Sequence, residues 1–266
     1  MKWLATLAVV IGGLAATGTA QARTVHDVAS STNWAGYAVS GSTFTDIKGT
    51  WVQPAVTCAT TISTYAAFWV GLGGFSGGPG GLEQIGTESE CNQGHPSYSI
   101  WYELLPDGSV TIPMALTPGD TVSAEVSITG PTATLTIADL TSGATFSTTA
   151  TPSVLDTSSA EWIAEAPSRC FAGSRCLQLT LANFGTVQFS GSSTTANGHV
   201  GTISDASWSA TAVELGGNVS AAPAGLTPDG TAFSVAVIQP TQAAKPKAKV
   251  KAKPKRPHGR AATPAA

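Results

Sequence analysis

Apolar and small polar residues alternate along much of this chain, with the period of β-strands. The alternation is clearest from Thr121 to Thr129 and from Ala133 to Ala138, where successive side chains should point to opposite faces. Turn signals rich in Gly and Pro recur at short, regular intervals between such segments. No amphipathic helix of ordinary length is indicated. The pattern predicts a single all-β domain, built as a sandwich or a barrel.

Alternation also sorts side chains by face. In the segments 82–88 and 97–105, one side is apolar and the other combines polar and aromatic residues. Such a mixed face suits a solvated binding groove better than a core. The residues on the mixed faces are Gln84, Gly86 and Glu88 in the first segment, and Ser99, Trp101 and Glu103 in the second.

The two ends of the chain differ from the middle. Residues 1–22 have the positive start, the apolar stretch and the Ala20-Gln21-Ala22 cleavage site of a secretory signal peptide. The apolar run is too short for the alternative, a transmembrane anchor. Residues 241–266 form a tail rich in Lys, Pro and Ala, a composition that predicts disorder. Residues 23–240 are the predicted folded domain of a secreted protein.

The predicted domain is poor in basic residues. Between Thr24 and Pro240 the only Lys and Arg are Lys48, Arg169 and Arg175, against all 16 Asp and Glu of the chain. Acid unfolding is driven by protonation of paired carboxylates and by repulsion between positive charges. This domain has little of either, so we expect it to tolerate acid, although an acidic surface also serves plain solubility.

Four cysteines in an exported chain predict two disulfides, for which three pairings exist. Cys170 and Cys176 are the natural local pair, which leaves Cys58 with Cys91. A zinc site is the competing interpretation, but the spacing lacks the paired C-x₂-C clusters of structural zinc.

Common catalytic motifs give little support to a serine or metal mechanism. The stretch Gly74-Phe75-Ser76-Gly77-Gly78 matches G-x-S-x-G, yet the glycines and proline that follow cannot start the helix that a nucleophile elbow requires. His95 and His199 lie in loop-like segments, and no H-x-x-H or H-E-x-x-H pair is present in the sequence. We therefore predict neither a metal nor another cofactor.

Three glutamates, Glu88, Glu103 and Glu161, admit several interpretations. Most strand carboxylates simply face solvent. Two of them flanking a sugar would make a glycoside hydrolase, with Trp69 and Trp101 stacking on the rings. The same surface without catalysis would make a carbohydrate-binding module.

Six short motifs, taken in order, resemble the glutamic peptidases, also called eqolisins or peptidase family G1. The match covers roughly residues 31–217, most of the predicted domain. The motifs are Asn33-Trp34-Ala35-Gly36-Tyr37, Thr50-Trp51-Val52-Gln53-Pro54, Trp69-Val70-Gly71, Gln84-Ile85-Gly86, Trp101-Tyr102-Glu103, and Ala160-Glu161-Trp162-Ile163 followed by Phe184-Gly185.

The resemblance implies an antiparallel, two-sheet β-sandwich of the concanavalin or lectin-like type, with a concave substrate cleft. It also implies a secreted, acid-acting endopeptidase that cleaves polypeptides as a monomer and needs no metal or nucleic acid. Carried over, the catalytic dyad is Gln84 and Glu161. The substrate-binding residues are Trp69, Glu88, Trp101 and Glu103.

In the expected mechanism, ionised Glu161 takes a proton from water and the Gln84 amide stabilises the oxyanion. The two side chains should therefore face one another across a few ångströms and a water molecule. Two positions depart from the fungal pattern, because Gly73 and Glu88 stand where the family typically has Asp. The basic tail is expected to be a solvated spacer or a tether to an anionic cell-envelope surface.

Overall fold

A computed structural model describes residues 27–75, 77–171, 175–217 and 220–238. The predicted signal peptide (1–22) and basic tail (241–266) lie outside the described residues, and so does Ser76 of the G-x-S-x-G match.

The described residues form β-strands and loops without an α-helix. Nothing in these ranges could cross a membrane as a helix. The all-β prediction is therefore confirmed. The strands are β1 (Asp27–Ser31), β2 (Trp34–Ser40), β3 (Phe44–Val52), β4 (Thr64–Leu72), β5 (Leu82–Asn92), β6 (His95–Leu105), β7 (Val110–Ile112), β8 (Thr121–Thr129), β9 (Thr132–Asp139), β10 (Thr145–Ala150), β11 (Ser159–Glu165), β12 (Ser168–Phe171), β13 (Arg175–Gln178), β14 (Thr186–Ala196), β15 (His199–Gly201), β16 (Ser209–Leu215), β17 (Ser220–Pro223) and β18 (Phe233–Ile238).

The main sheet is one continuous hydrogen-bonded path. Its order is β10-β9-β8-β3-β14-β18-β17-β16-β2-β11-β4-β5-β6-β7, with β15 beside β14 and β1 beside β16. Neighbours along the path are antiparallel, whereas β1 pairs with β16 in parallel. The sequence predicted two separate sheets. In the structure, β18, β17 and β16 connect the half of the path from β10 to β14 with the half from β2 to β7 through hydrogen bonds.

The two halves of the path pack together around one large core. Its largest buried side chains come from both halves, for example Trp51 and Phe189 from one and Phe68 and Trp162 from the other. The Trp162 indole nitrogen donates a hydrogen bond of 2.7 Å to the Lys48 carbonyl across this core. Fully burying a large apolar side chain stabilises a fold by about 1.5–3 kcal/mol, so this core supplies most of the driving force.

The alternating segments behave as predicted. In β8, Val122, Ala124 and Val126 are buried, while the residues between them are partly exposed. The residues of β9 alternate in the same way opposite β8. The period of 2 therefore directs one side of each strand to the core and leaves the other polar.

Two disulfides hold peripheral segments in place. Cys58 and Cys91 are bonded to each other, which ties the segment before β4 to the end of β5, and this pairing is confirmed. Cys176 is also disulfide-bonded. It lies opposite Cys170 in the small hairpin of β12 and β13.

Candidate active site

The predicted site residues share the face of strands β11, β4, β5 and β6 that points away from the large core. Residues directly opposite one another in antiparallel strands point to the same side of a sheet. The register places three such rows in succession across these four strands. They are Glu161, Gly71, Gln84 and Glu103; then Ile163, Trp69, Gly86 and Trp101; then Glu165, Ala67, Glu88 and Ser99.

A small second apolar cluster supports this face. Trp69, Ile163 and Leu82 are buried in it, with Trp101 at its edge. Gly86 makes the arrangement possible, because a Cβ there would lie 2.6 Å from the Cβ of Trp69. The cluster gives the polar groups above it a rigid, largely dry floor.

A pocket of about 310 Å³ lies on this face. It combines carboxyl, amide, hydroxyl and indole groups, as a site for an extended polar ligand requires. Its lining residues are Asn33, Trp34, Ala67, Leu82, Gln84, Glu88, Ser99, Trp101, Glu103, Leu105, Ser109, Thr111, Glu165, Pro167 and Ser168.

Gln84 is buried in the pocket wall. Its Nε2 donates a hydrogen bond of 2.7 Å to Oε2 of Glu103. Burial raises the pKa of the Glu103 carboxyl, while this bond and the backbone N–H of Ser109 oppose the rise. Within the described part of the chain, Oε1 of Gln84 has no hydrogen-bond partner. The amide is therefore held in one orientation with its acceptor atom unused.

Glu165 also lines the pocket, and both of its oxygens are held. Asn33 Nδ2 donates to Oε1 at 2.8 Å, and Trp69 Nε1 donates to Oε2 at 2.8 Å. Burial raises the pKa of the Glu165 carboxyl to about 7, despite the lowering effect of the bonds from Trp69, Asn33 and Trp34. The negative charge of Glu103 adds to the rise, so the two carboxyls interact electrostatically.

Glu161 does not line this pocket. Its side chain is 0% exposed, and no residue in the described ranges makes a hydrogen bond of normal geometry to either carboxyl oxygen. Burial raises the pKa of Glu161 well above its usual value. The nearby Ser159 hydroxyl lowers this pKa, whereas the negative charges of Asp156 and Glu83 raise it further. Burial therefore favours the neutral form of this carboxyl.

The expected direct facing of Gln84 and Glu161 needs correction. They belong to one row, but strand β4 with Gly71 runs between them. A δ-carbon of Leu82 comes within 3.1 Å of where a Cβ of Gly71 would stand. Leu82 therefore packs over Gly71, on the face that Glu161 and Gln84 share.

Sequence reasoning missed Glu165, although a signal for it was present. Glu165 follows Glu161 by an even number of residues on the same strand, so the two share a face. Asn33 was also missed as a site residue, although it begins the first motif. The structure brings Asn33 and Glu165 into the pocket with Gln84, Glu88, Trp101 and Glu103. Trp69 lies beneath, with its indole N–H on Glu165.

Glu88 and Trp101 complete the wall. Burial raises the pKa of Glu88, reinforced by Glu90 and opposed by Arg169. The Nε1 of Trp101 is buried and lacks a partner among the described side chains and backbone. Buried donors are almost always satisfied in native proteins. This N–H, on a residue that lines the pocket, is a candidate donor to a bound ligand.

The local structure explains why position 73 is Gly where the family typically has Asp. Gly73 has φ of +91°, and a Cβ there would lie 2.6 Å from the Cβ of Asp156. An Asp at this position would therefore clash. Asp156 Oδ2 instead accepts a hydrogen bond from the backbone N–H of Gly74. The glycine-rich loop that follows β4 is anchored on the segment before β11, and residues 77–81 form no helix.

No group of three or more His, Cys, Asp or Glu side chains in the described ranges could hold a metal ion. The chemistry available at the pocket is that of carboxyl and amide groups, which can donate and accept protons and polarise a carbonyl.

Comparisons with known proteins relate this chain to one family of peptidases. The model of the Peptidase A4 family matches residues 32–225. Aspergillopepsin-2 of Aspergillus niger is 28% identical over 199 residues, which cover 66% of this chain and 68% of that protein.

Solved structures share the fold. Scytalido-glutamic peptidase with a transition state analog inhibitor superposes with a TM-score of 0.67 at 24% identity, covering 78% of this chain and 98% of the other. For SCP-B, an eqolisin in complex with the tripeptide Ala-Ile-His, the TM-score is 0.62 at 23% identity with the same coverage. Aspergilloglutamic peptidase from Aspergillus niger gives 0.55 at 24% identity, covering 66% and 99%.

Proposed function

The chain belongs to the Peptidase A4 family and is a peptide hydrolase, and we propose that it is a secreted, acid-acting endopeptidase whose catalytic pair is Gln84 and Glu165. The observation that carries the proposal is the shared pocket, which both the amide of Gln84 and the carboxyl of Glu165 line. Glu165 thereby takes the role that the motif order assigns to Glu161.

Burial and hydrogen bonding support this exchange of roles. A general acid or base must come within hydrogen-bond reach of the substrate. Glu165 is at the pocket and its carboxyl is oriented by Asn33 and Trp69. Glu161 has no access to the pocket and a strongly raised pKa, which suits a structural carboxyl.

The protonation state of Glu165 determines its first step. Because its pKa is raised to about 7, Glu165 carries a proton at acidic pH. It donates that proton to the scissile carbonyl oxygen while a water molecule attacks the carbon. A proton of the water passes to the other oxygen of Glu165. The product is a neutral gem-diol, and Glu165 is protonated again.

The second step uses the same carboxyl. Glu165 gives its proton to the leaving nitrogen and the C–N bond breaks. One hydroxyl of the gem-diol then becomes a carbonyl and returns its proton to Glu165. The balance is one peptide bond and one water consumed, and one carboxylic acid and one amine released. A single carboxyl thus serves as acid and base in both steps.

Gln84 has two contributions available. Its Oε1, which has no partner among the described residues, can accept a hydrogen bond from the attacking water. One N–H is used by Glu103, and the second can donate to the carbonyl oxygen and polarise the C=O bond while the proton of Glu165 is transferred to it. One such donor typically contributes about 2.7–4 kcal/mol to transition-state stabilisation. Glu103 keeps the amide from rotating.

Two glutamine variants of β11 test the assignment. Activity on casein or a peptide library at acidic pH is compared for wild type, Glu165→Gln and Glu161→Gln. These side chains lie on one face of one strand, so each variant is the matched control of the other. We expect Glu165→Gln to lose activity and Glu161→Gln to retain it. The opposite result would restore Glu161 to the catalytic pair, and turnover of polysaccharide without peptide cleavage would point to a glycosidase.

Secretion and the basic tail extend the proposal. Residues 1–22 have the composition of a signal peptide, and eight of the 13 Lys and Arg lie between residues 245 and 260. Such a cluster is attracted to anionic surfaces in a salt-dependent way. Deleting residues 241–266 should release the protein from anionic cell-envelope preparations at low salt and leave peptide hydrolysis intact. Equal retention of both forms would exclude the tether.

A further inference from the structure

The Glu165 carboxyl is held between two donors from different strands. Trp69 Nε1 comes from β4 and donates to Oε2, and Asn33 Nδ2 comes from the turn before β2 and donates to Oε1. Each bond is 2.8 Å long, a normal distance for a donor to a carboxylate. The Trp69 contact is part of the buried floor, whereas Asn33 lies at the pocket itself.

The turn that carries Asn33 determines which end of its amide faces Glu165. The Ser31 hydroxyl oxygen accepts from the backbone N–H groups of Asn33 and Trp34, at 3.2 and 3.0 Å. The Ser31 hydroxyl then donates its own proton to Oδ1 of Asn33, with 3.3 Å between the two oxygens. With Oδ1 used as the acceptor, Nδ2 points to Glu165. The orientation of the amide thus follows from the neighbouring hydrogen bonds.

The same turn is attached to the strand that carries Glu165. The backbone N–H of Ala166 donates to the carbonyl of Asn33 at 2.8 Å. Trp34 pairs with Glu165 at the end of the β2–β11 ladder. Asn33 and Glu165 are therefore fixed relative to one another through the backbone as well as through their side chains.

We propose that Asn33 is a positioning residue for Glu165, which aims one carboxyl oxygen into the pocket and stabilises the ionised form that appears midway through each proton transfer. The inference rests on the proposed role of Glu165. It adds a residue whose contribution acts through another side chain and needs no contact with substrate.

Charges and hydrogen-bond donors around Glu165 determine in which direction its pKa should change when Asn33 is removed. Trp69 and Trp34 favour the ionised form, whereas burial and the carboxyl of Glu103 oppose it. Glu88 lies in the same row beyond Ala67, with Arg169 near it. Asn33 is thus one of few groups that offset burial. Its removal should raise the pKa of Glu165.

The test compares Asn33→Ala, Asn33→Asp and a control, Asn92→Ala, which changes an exposed Asn at the far end of β5. The pH dependence of kcat/KM is measured for each. The carboxyl carbons of ¹³C-labelled glutamate are titrated by NMR, with the Glu165 signal assigned from its loss in Glu165→Gln. Circular dichroism verifies that each variant is folded. If Asn33→Ala does not fold, Asn33→Asp still tests the inference, because Asp has nearly the shape of Asn.

We expect the Glu165 titration, and the limb of the pH profile that reports it, to move up by about one pH unit in Asn33→Ala. In Asn33→Asp the shift should be larger, because the new carboxylate repels the ionised form of Glu165. Asn92→Ala should match wild type. An unchanged Glu165 titration in both Asn33 variants would overturn the inference.

The two proposals fail separately. If Glu165→Gln retains full activity, the catalytic assignment is wrong, and the NMR titration still decides whether Asn33 controls the Glu165 carboxyl. If Glu165→Gln is inactive and the titration does not respond to Asn33, the catalytic assignment stands and the positioning role is refuted.

Discussion

Glu161 and Glu165 share one face of strand β11, yet only Glu165 reaches the pocket. The difference arises on the neighbouring strands. Beside Glu161, Leu82 covers the gap that Gly71 leaves, whereas beside Glu165 the small side chain of Ala67 leaves the pocket open. Among the described residues, Glu161 is thereby buried without a hydrogen bond of normal geometry, whereas Glu165 lies at the pocket with two donors.

Replacing Gln84 by Ala should reduce kcat much more than it changes KM. The amide is assigned to the attacking water and to the scissile carbonyl oxygen, and such interactions are strongest in the transition state. We expect a loss of about 10²–10³-fold in kcat. Steady-state kinetics on a defined peptide at acidic pH measures it. Gln188→Ala, at an exposed position of β14, is the control, and a Gln84→Ala variant with wild-type kcat would contradict the assignment.

Trp101→Phe should weaken substrate binding. The variant keeps the aromatic ring in the pocket wall and removes the Nε1–H that lacks a partner among the described residues. A hydrogen bond of this kind is worth about 0.5–1.5 kcal/mol, so KM should rise by roughly two- to tenfold. Tyr102→Phe removes a polar group from the opposite face of the same strand and should leave KM unchanged. Equal KM values for Trp101→Phe and wild type would show that substrate does not use this donor.

The fold should lose stability as pH rises from mildly acidic to neutral. Burial raises the pKa of Glu161 well above 4.5 and that of Glu83 to about 8. Above pH 4.5 the unfolded chain ionises these groups while the folded protein keeps them protonated. Each such group then costs up to about 1.4 kcal/mol of unfolding free energy per pH unit, until the folded pKa is reached. Below pH 4.5 this dependence disappears.

Chemical denaturation between pH 4.5 and 8 measures that loss. Glu161→Gln removes one titrating group and should flatten the curve, with its largest benefit at neutral pH. Glu214→Gln, at an exposed position, should have the slope of wild type. A Glu161→Gln variant as sensitive to pH as wild type would mean that this carboxyl is ionised in the folded state.

Gly73→Ala should destabilise the loop after β4 more than Gly80→Ala. Both glycines have positive φ, +91° and +92°, but a Cβ at Gly80 has nothing within 4 Å, while at Gly73 it meets Asp156. The backbone penalty alone is about 1–2 kcal/mol, and the collision adds about 1–3 kcal/mol. Thermal unfolding of the two variants separates these contributions. Equal losses would show that Asp156 moves aside freely.

Local pattern was sufficient for much of the architecture. The period of 2 in β8 and β9 depends only on neighbouring residues, so the all-β class followed from it directly. The same rule placed Gln84 on the polar face of its strand, and Trp101 and Glu103 on the polar face of theirs. It could not show that β16, β17 and β18 join the two halves of the path, because strand pairing depends on contacts distant in sequence.

The site divides in the same way. The sequence by itself predicted amide, carboxyl and indole groups on the strand faces of a domain with few basic residues, because composition and alternation are local properties. Only the tertiary structure showed which of Glu161 and Glu165 lines the pocket. Burial and solvation depend on side chains of other strands, here Leu82 over Gly71 and Asn33 beside Glu165, and a carboxyl's role is set by the neighbours that surround it.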